Sequence, residues 1–441
     1  MENTAIKQKI GITTLGCKVN QYESAALVEK LCAKKYILVP FNSHADIYII
    51  NTCTVTSSAD FQSRQLIRRA KKNNPQAKII VTGCFAQISP EEIKKIDETI
   101  IVVGNRQKNM IPEFIEDSTL IGRDETEYYG SCLKIFHYMP LGKFINHTRA
   151  FLKIQDGCNS YCSYCIIPYA RGEKRSLPPP IALTAIDRFI KNDYREIVFT
   201  GIHLGAYGQD LIPSTNLEQL LKDVMNIDSS ARFRLSSIEP IEITDNLLNL
   251  FAKNASLCPH LHIPLQSGDD KILRLMRRNY DTSFYRNLIN KIIAAVEDVA
   301  IGIDVMVGFP GEGTNEFNNT VRFLESLPVA YIHIFPYSER PNTAAANIHP
   351  KINVKTKKER ALFLKKINEL KRMQFARRFL GKELFVLVEN TKDKKTRLLK
   401  GVSQNYLPVL LENCDQSFVN KIVAVRVQKL EEGKLYGKIV S

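Results

Sequence analysis

Three times before residue 90, an apolar run ends in a short loop of small residues that holds a cysteine. Ile10 to Leu15 leads to Gly16-Cys17, Ile47 to Ile50 leads to Asn51-Thr52-Cys53, and Lys78 to Val81 leads to Thr82-Gly83-Cys84. Short β-branched runs closed by glycine or polar residues predict buried strands. The stretches Asn20 to Lys34 and Ser57 to Lys72 between them read as helices. Strand alternating with helix predicts a parallel α/β sheet. Ligands of such sheets bind beyond the carboxyl ends of the strands, where all three cysteines fall. Free cysteine is often buried, so three separate core thiols are the plain alternative. Equivalent places in successive units instead predict one three-thiolate centre. Cys32, Cys132, Cys258 and Cys414 lack this setting and are expected to be structural.

A second set is denser. Cys158, Cys162 and Cys165 lie in Asp156-Gly157-Cys158-Asn159-Ser160-Tyr161-Cys162-Ser163-Tyr164-Cys165, a C-x3-C-x2-C spacing. Iron–sulfur clusters are normally held by four thiolates. Three in one loop leave one iron of a cubane cluster without a protein ligand, and an open position marks a catalytic rather than a structural metal site. Zinc would want a fourth Cys or His nearby, and the residues from Gly157 to Arg175 add none. Met1 to Lys9 is mostly polar and no long apolar segment follows. Neither disulfides nor a membrane span is therefore expected, and a cytoplasmic location is.

With their neighbours, these residues resemble the radical S-adenosylmethionine (SAM) methylthiotransferases. The resemblance rests on Thr14-Leu15-Gly16-Cys17-Lys18-Val19-Asn20-Gln21-Tyr22-Glu23-Ser24, on Asn51-Thr52-Cys53-Thr54-Val55-Thr56, on Thr82-Gly83-Cys84-Phe85-Ala86-Gln87, and on the C-x3-C-x2-C loop. The Gly-Cys-Lys-Val-Asn-Gln form is similar to the MtaB branch, which acts on C2 of N6-threonylcarbamoyladenosine at position 37 of tRNA. Sister branches act on isopentenyladenosine in tRNA or on an aspartate of a ribosomal protein. The resemblance implies two 4Fe–4S clusters, an auxiliary one on Cys17, Cys53 and Cys84 and a radical one on Cys158, Cys162 and Cys165. It implies that SAM takes the open iron of the second, and that an external one-electron donor such as flavodoxin or ferredoxin supplies the electron. A reading of another class is a non-catalytic, nucleic-acid-binding iron–sulfur redox sensor.

The chain has 441 residues, enough for about three domains at ~150 residues each. We place their boundaries at 1–145, 146–375 and 376–441. In the middle domain, strand-like runs at Phe151–Ile154, Glu196–Thr200, Phe233–Ser237, His260–Leu265, Ala300–Val305 and Tyr331–Phe335 leave room for helices between them. Six such units predict a partial (β/α)6 barrel, with chemistry at the carboxyl ends of its strands. Loops at that end carry Gly201 and His203, Glu239, and Gln266 with Ser267. By resemblance, Gly201 lets the backbone approach the SAM methionyl group, Glu239, Gln266 and Ser267 make polar SAM contacts, and Tyr164 packs on the adenine. Turn geometry alone also explains glycines in such loops, and a lone loop histidine is commonly a solvated hydrogen-bonding residue.

From Lys355 to Arg378 there are ten Lys or Arg and two Glu. Leu362, Leu364, Ile367, Leu370 and Phe375 are expected to form the buried face of a basic helix. Beyond Gly381, runs at Glu383–Glu389, Arg397–Lys400, Leu407–Leu410, Lys421–Gln428 and Leu435–Val440 predict a small five-stranded β-barrel of oligonucleotide-binding type. It resembles the TRAM domain of tRNA-modifying methylthiotransferases. Lys392, Lys394, Lys395, Arg397 and Lys400 are then phosphate contacts and Tyr406 a base-stacking candidate. The net charge of +15 suits an RNA partner, the tRNA anticodon stem-loop. Residues 381–441 are expected to be removable without harm to the preceding domains. Two independent three-cysteine sets predict about eight irons per chain after anaerobic reconstitution. An iron assay returning about four would leave only one cluster.

Overall fold

Five short strands open the chain: β1 (Lys9–Thr14), β2 (Ile37–Val39), β3 (Ile47–Thr52), β4 (Lys78–Gly83) and β5 (Ile101–Val103). In the computed structural model they form one parallel sheet in the order β2-β1-β3-β4-β5. The structure describes residues 8–34, 36–120, 135–144, 147–227 and 230–440, so Cys132 lies outside the described residues. The chain divides into two compact units. One comprises Met1–Lys143, Gln155–Leu177 and Ser338–Ala346, the other Phe144–Ile154, Pro178–Tyr337 and Asn347–Ser441.

In the first unit, α1 (Lys18–Ala33) and α2 (Ser57–Asn73) connect the first strands, close to their expected spans. The hydroxyl of Thr56 caps α2 by accepting from the Ala59 amide. Every residue of β3 is buried, as a strand covered on both faces requires. Tyr48, Ile50, Ile67, Val81 and Phe85 belong to the core beneath. This strand order reverses direction between β1 and β3, the point at which open α/β sheets bind ligands. The unit also contains the two-stranded pair β7 (Gln155–Asp156) and β8 (Arg175–Ser176) that closes the base of the second cysteine loop.

The second unit holds six parallel strands: β6 (Ala150–Lys153), β9 (Glu196–Thr200), β10 (Arg232–Leu235), β11 (His260–His262), β12 (Ala300–Val307) and β13 (Tyr331–Pro336). They pair as β10-β9-β6 and β11-β12-β13. Isolated bridges Phe233–Leu257 and Ser237–His262 join the two halves. The expected runs and the observed strands agree to within a few residues. The helix Val354–Arg377 corrects one expectation. It buries Ala361, Leu364, Ile367 and Phe375, but Leu362 and Leu370 are exposed. At about 3.6 residues per turn, those two lie more than a third of a turn from the centre of the buried stripe.

After it come β14 (Glu383–Lys392), β15 (Leu399–Ser403), β16 (Pro408–Glu412), β17 (Ile422–Glu431) and β18 (Lys434–Ile439), a closed barrel in the order β14-β15-β16-β18-β17. Its core of Val386, Leu399, Val409, Leu411 and Val425 runs on into Ala300, Ala330, Phe375 and Phe379. Residues 381–441 are therefore not a detachable module, because removing them would bare this shared core.

Charge binds the same surfaces. Arg232 and Arg234 both pair with the fully buried Glu196, at 2.7 and 2.8 Å. Their remaining donors reach the carbonyls of Phe385, Val402, Ser403 and Gln404. Burial opposes ionisation of Glu196, but the two guanidiniums outweigh it and hold the carboxyl down at about 2. Its unfolded value is about 4.3, so the stabilisation is complete above that and is lost as pH falls toward 2. Glu196→Gln leaves two buried cations uncompensated, a change that costs about 3–5 kcal/mol. Urea unfolding at neutral pH should show a lowered midpoint, and the variant should lose part of the wild-type sensitivity between about pH 4.5 and 2. An unchanged midpoint would remove Glu196 from the list of stabilising contacts.

Candidate iron–sulfur centres

Cys17, Cys53 and Cys84 follow β1, β3 and β4, three neighbouring strands of one parallel sheet. Each stands within three residues of its strand's carboxyl end. Cys17 caps α1, and Cys84 opens the short helix α3 (Cys84–Ile88). Small residues make room for this. Gly16 has φ +99°, and a Cβ there would sit 3.0 Å from Cys53 Sγ. Gly83 has φ +97° and lies against the Thr52 backbone. Burial pushes the Cys53 thiol up to about 11, with the Cys84 and Cys17 thiols adding to it. Cys17 opens to solvent, yet protein atoms crowd it and raise its pKa, with Arg171 opposing. The Cys17 and Cys53 thiols, so raised, hold their protons at neutral pH. Iron would displace those protons on binding.

The second cysteine loop is anchored at its base. Cys158 N–H donates to the Gly172 carbonyl at 3.0 Å, and Lys174 N–H to Asn159 Oδ1 at 2.9 Å. Cys165 N–H donates to the Cys162 carbonyl at 2.9 Å, and Ala345 N–H to that of Ser163 at 2.7 Å. Cys158, Cys162 and Cys165 are all partly exposed.

Arg171, on the short helix Ile167–Arg171, ties the two loops together. Its Nη1 pairs with Asp156 Oδ1 at 2.8 Å and Glu23 Oε1 at 3.1 Å, and its Nη2 donates to Asn20 Oδ1 at 2.6 Å. Lys108 completes the cluster through Glu23 Oε2 and Asn51 Oδ1. Asp156 precedes Cys158 by two residues, Asn20 follows Cys17 by three, and Asn51 precedes Cys53 by two. Arg171 Nε and Arg175 Nη1 are buried without a hydrogen-bond partner. Unused buried donors beside grouped thiols suit an anionic thiolate–iron group. Both cysteine sets therefore fit clusters by donor chemistry, by the space Gly16 preserves, and by local charge. Arg340 adds a further anchor near Cys53, bonding Asp60, the Thr54 carbonyl and Ser57.

Other sequence candidates fall as follows. Tyr164 is partly buried beside Cys165, and Gly201 follows β9. Gln266 has φ +68° and lies against β12, its carbonyl accepting the Met306 amide at 2.8 Å. Ser267 is buried, its hydroxyl meeting Thr320 Oγ1 at 3.3 Å and accepting from the Asp269 amide. Glu239 is held by Arg278, and His203 by Glu242 at 2.7 Å. Lys392, Lys394, Lys395, Arg397 and Lys400 gather around the β14–β15 connection, with Lys395 paired to Glu432. Tyr406 packs at 4.4 Å on His260 and under Arg234. Cys258 is buried, Cys32 exposed and Cys414 intermediate. The Arg171 network was missed by sequence reading. Its only signal was polar Asn20 and Glu23 one helical turn apart on a helix that must bury one face.

The first unit's sheet region matches a family model described as uncharacterized protein family UPF0004 over residues 9–104, and residues 152–324 match the radical SAM superfamily. The chain is 38% identical over 424 residues to the threonylcarbamoyladenosine tRNA methylthiotransferase MtaB of Aquifex aeolicus, covering 95% of this chain and 100% of that one. For the protein of the same name in Bacillus subtilis the identity is 36%, covering 95% and 94%. A tRNA-2-methylthio-N(6)-dimethylallyladenosine synthase of Buchnera aphidicola is 31% identical, covering 98% and 99%. Among solved structures, the radical SAM methyltransferase TsrM of Kitasatospora setae superposes with a TM-score of 0.56 at 12% identity, covering 77% of each chain, a likeness of fold alone.

Gly16→Ala tests the first centre directly. A Cβ would meet Cys53 at a position whose φ already disfavours side chains. Reconstituted protein should fall from about eight irons to about four with SAM cleavage retained. Full iron loading would show that the Gly16 space is not needed.

Proposed function

This chain belongs to the radical SAM methylthiotransferases, and from that premise we propose that it adds a methylthio group to C2 of N6-threonylcarbamoyladenosine at position 37 of tRNA. The observation that carries the reading is the Arg171 cluster, which ties two three-cysteine loops into one compact unit. A transfer that needs both a sulfur carrier and a radical source needs both loops. Cys158, Cys162 and Cys165 would hold a 4Fe–4S cluster that works with SAM, and Cys17, Cys53 and Cys84 would hold a second. When bound, these groups supply the 5′-deoxyadenosyl radical and the methylated sulfur for the exchange of C–H for C–S. C2 of a purine is a poor electrophile, which is why a radical route suits it.

The chain's own residues do the positioning. Asp156 and Arg171 fix the root of the Cys158 loop, and Asn20 and Asn51 fix the Cys17 and Cys53 loops. Tyr164 packs on the adenine of SAM. Gly201 and Gln266 present backbone at strand ends, while Glu239 and Ser267, engaged with Arg278 and Thr320, shape the SAM pocket. The six strands of the second unit form an incomplete (β/α)6 barrel, and the terminal barrel is a TRAM domain. Lys392, Lys394, Lys395, Arg397 and Lys400 bind phosphates of the anticodon stem-loop without reading sequence. The target base leaves its stack to react. A flavodoxin or ferredoxin supplies the electron in the cytoplasm. No helix among the described residues is long and apolar enough to cross a membrane.

The second reading is isopentenyladenosine as substrate, favoured by the 31% identical dimethylallyladenosine relative. Mass spectrometry of tRNA nucleosides from a deletion strain separates them. We expect loss of 2-methylthio-N6-threonylcarbamoyladenosine, with the isopentenyl counterpart unchanged. The reverse pattern would sink the assignment. The two cysteine sets should also separate. Cys162→Ala should abolish SAM cleavage, whereas Cys53→Ala should stop methylthio transfer while some 5′-deoxyadenosine still forms. Loss of all cleavage in Cys53→Ala with a normally loaded radical cluster would contradict this division.

A further inference from the structure

Among the described residues, His262, Asp304 and His333 bring three metal-ligating atoms within 4.8 Å of one another. The function proposed above uses none of them. They stand on three adjacent parallel strands: His262 ends β11, Asp304 lies midway along β12, and His333 is on β13. Asp304 and His333 are direct partners in the register, and His262 pairs with Gly302, two residues before Asp304. Side chains alternate across a strand. Ile301, Ile303 and Val305 are buried on the covered face of β12, which leaves Asp304 on the more open one.

The spacing of the donor atoms suits one ion. Asp304 Oδ1 is 2.9 Å from His262 Nε2 and 3.4 Å from His333 Nδ1. Two donors bound to one zinc-sized dication at about 2.0–2.2 Å lie about 2.9–3.5 Å apart. Two imidazoles and one carboxylate form the set that holds zinc or ferrous iron and leaves further positions open. Calcium and magnesium take oxygen ligands instead. Exposure of the three side chains rises from 12% at His262 through 20% at Asp304 to 54% at His333. Solvent therefore reaches the cluster from the His333 side, which gives an ion its entry. An exposed histidine adds little as a mere ion-pair partner of a carboxylate.

The His262 ring is also held from behind. Tyr331 Oη lies 3.3 Å from His262 Nδ1 and 2.8 Å from His260 Nε2. A phenol both accepts and donates. By accepting from His262 Nδ1–H and donating to His260 Nε2, it leaves His262 Nε2 free to ligate. Metal-binding histidines almost always engage their second ring nitrogen in this way. Gly302 makes the arrangement possible, since a Cβ there would collide with the ring and hydroxyl of Tyr331.

We infer that His262, Asp304 and His333 form a mononuclear site for a divalent transition-metal ion, which uses none of the six cluster cysteines and clamps β13 to β11 across β12.

The test adds zinc to enzyme whose two cysteine sets are already loaded with iron, then desalts it and records zinc content and X-ray absorption at the zinc edge. We expect about one zinc per chain, bound by nitrogen and oxygen without sulfur. His333→Ala, at an exposed position, should melt like wild type without zinc, bind zinc about 100-fold more weakly and lose the rise in melting temperature that zinc produces. Tyr331→Phe, which removes only the backing hydroxyl, should weaken binding about 10- to 100-fold. Zinc held by sulfur, equal retention by His333→Ala, or uptake only at millimolar concentration would overturn the site and leave a hydrogen-bonded cluster. The wild-type spectrum decides even where a variant folds poorly, because a zinc shell without imidazole nitrogen excludes this triad.

Discussion

A single buried guanidinium, that of Arg171, sets the arrangement of the first unit's chemistry. It has almost no exposure, and it satisfies Asp156, Glu23 and Asn20 at once. An unpaired buried charge costs several kcal/mol, so this cluster tolerates no loose member. Its partners come from a sheet-edge helix, from the root of the Cys158 loop and, through Lys108, from the residue two before Cys53. Fixing one therefore fixes the others. Burial opposes the Arg171 charge, but Asp156 and Glu23 outweigh it and hold that charge firmly, and the charge in turn opposes the rise in the Cys17 thiol. The same positive field would favour thiolates once iron arrives.

The second unit solves the complementary problem with inverted charges. There one buried carboxylate, Glu196, serves two arginines, and the arginines in turn satisfy backbone carbonyls of the terminal barrel. Those carbonyls lie at the end of β15 and on β14 beside it, and two of them, Phe385 and Ser403, also accept backbone amides. An apolar core shared with Ala300, Ala330 and Phe375 reinforces the join. The terminal barrel thus supplies part of the wall of a cavity of about 240 Å³ in the second unit, which also draws on Arg149 before β6, Tyr331 and His333 of β13, and Arg372 of the helix Val354–Arg377.

Much was legible beforehand because it is written in local pattern. Apolar runs ending at Cys17, Cys53 and Cys84 became three neighbouring strands of one parallel sheet, and the six runs of the middle region became six parallel strands. The last sixty residues became a closed five-stranded barrel. The buried stripe of the helix Val354–Arg377 was misjudged at Leu362 and Leu370, because hydrophobicity was counted without the phase of the helix. The polar groups were the harder part. Glu23, Lys108 and Glu196 look like ordinary surface charges in sequence, and nothing in their immediate neighbours says they are buried. Tyr406 was read as an RNA-facing ring, yet it packs on His260 and Arg234.

By itself, the sequence determined the strand and helix order and the two cysteine spacings, because strand runs, turns and metal-ligand loops are set by residues close together in the chain. It also determined the family, through motifs that span only a few residues each. Only the tertiary structure decided which charges would be buried as partners. A buried ion pair joins residues that are far apart in sequence, as Arg171 and Glu23 are, and its formation depends on where whole elements pack. For the same reason it alone placed Arg149, His333 and Arg372 around one cavity. Contact between distant elements leaves no periodic trace in the chain.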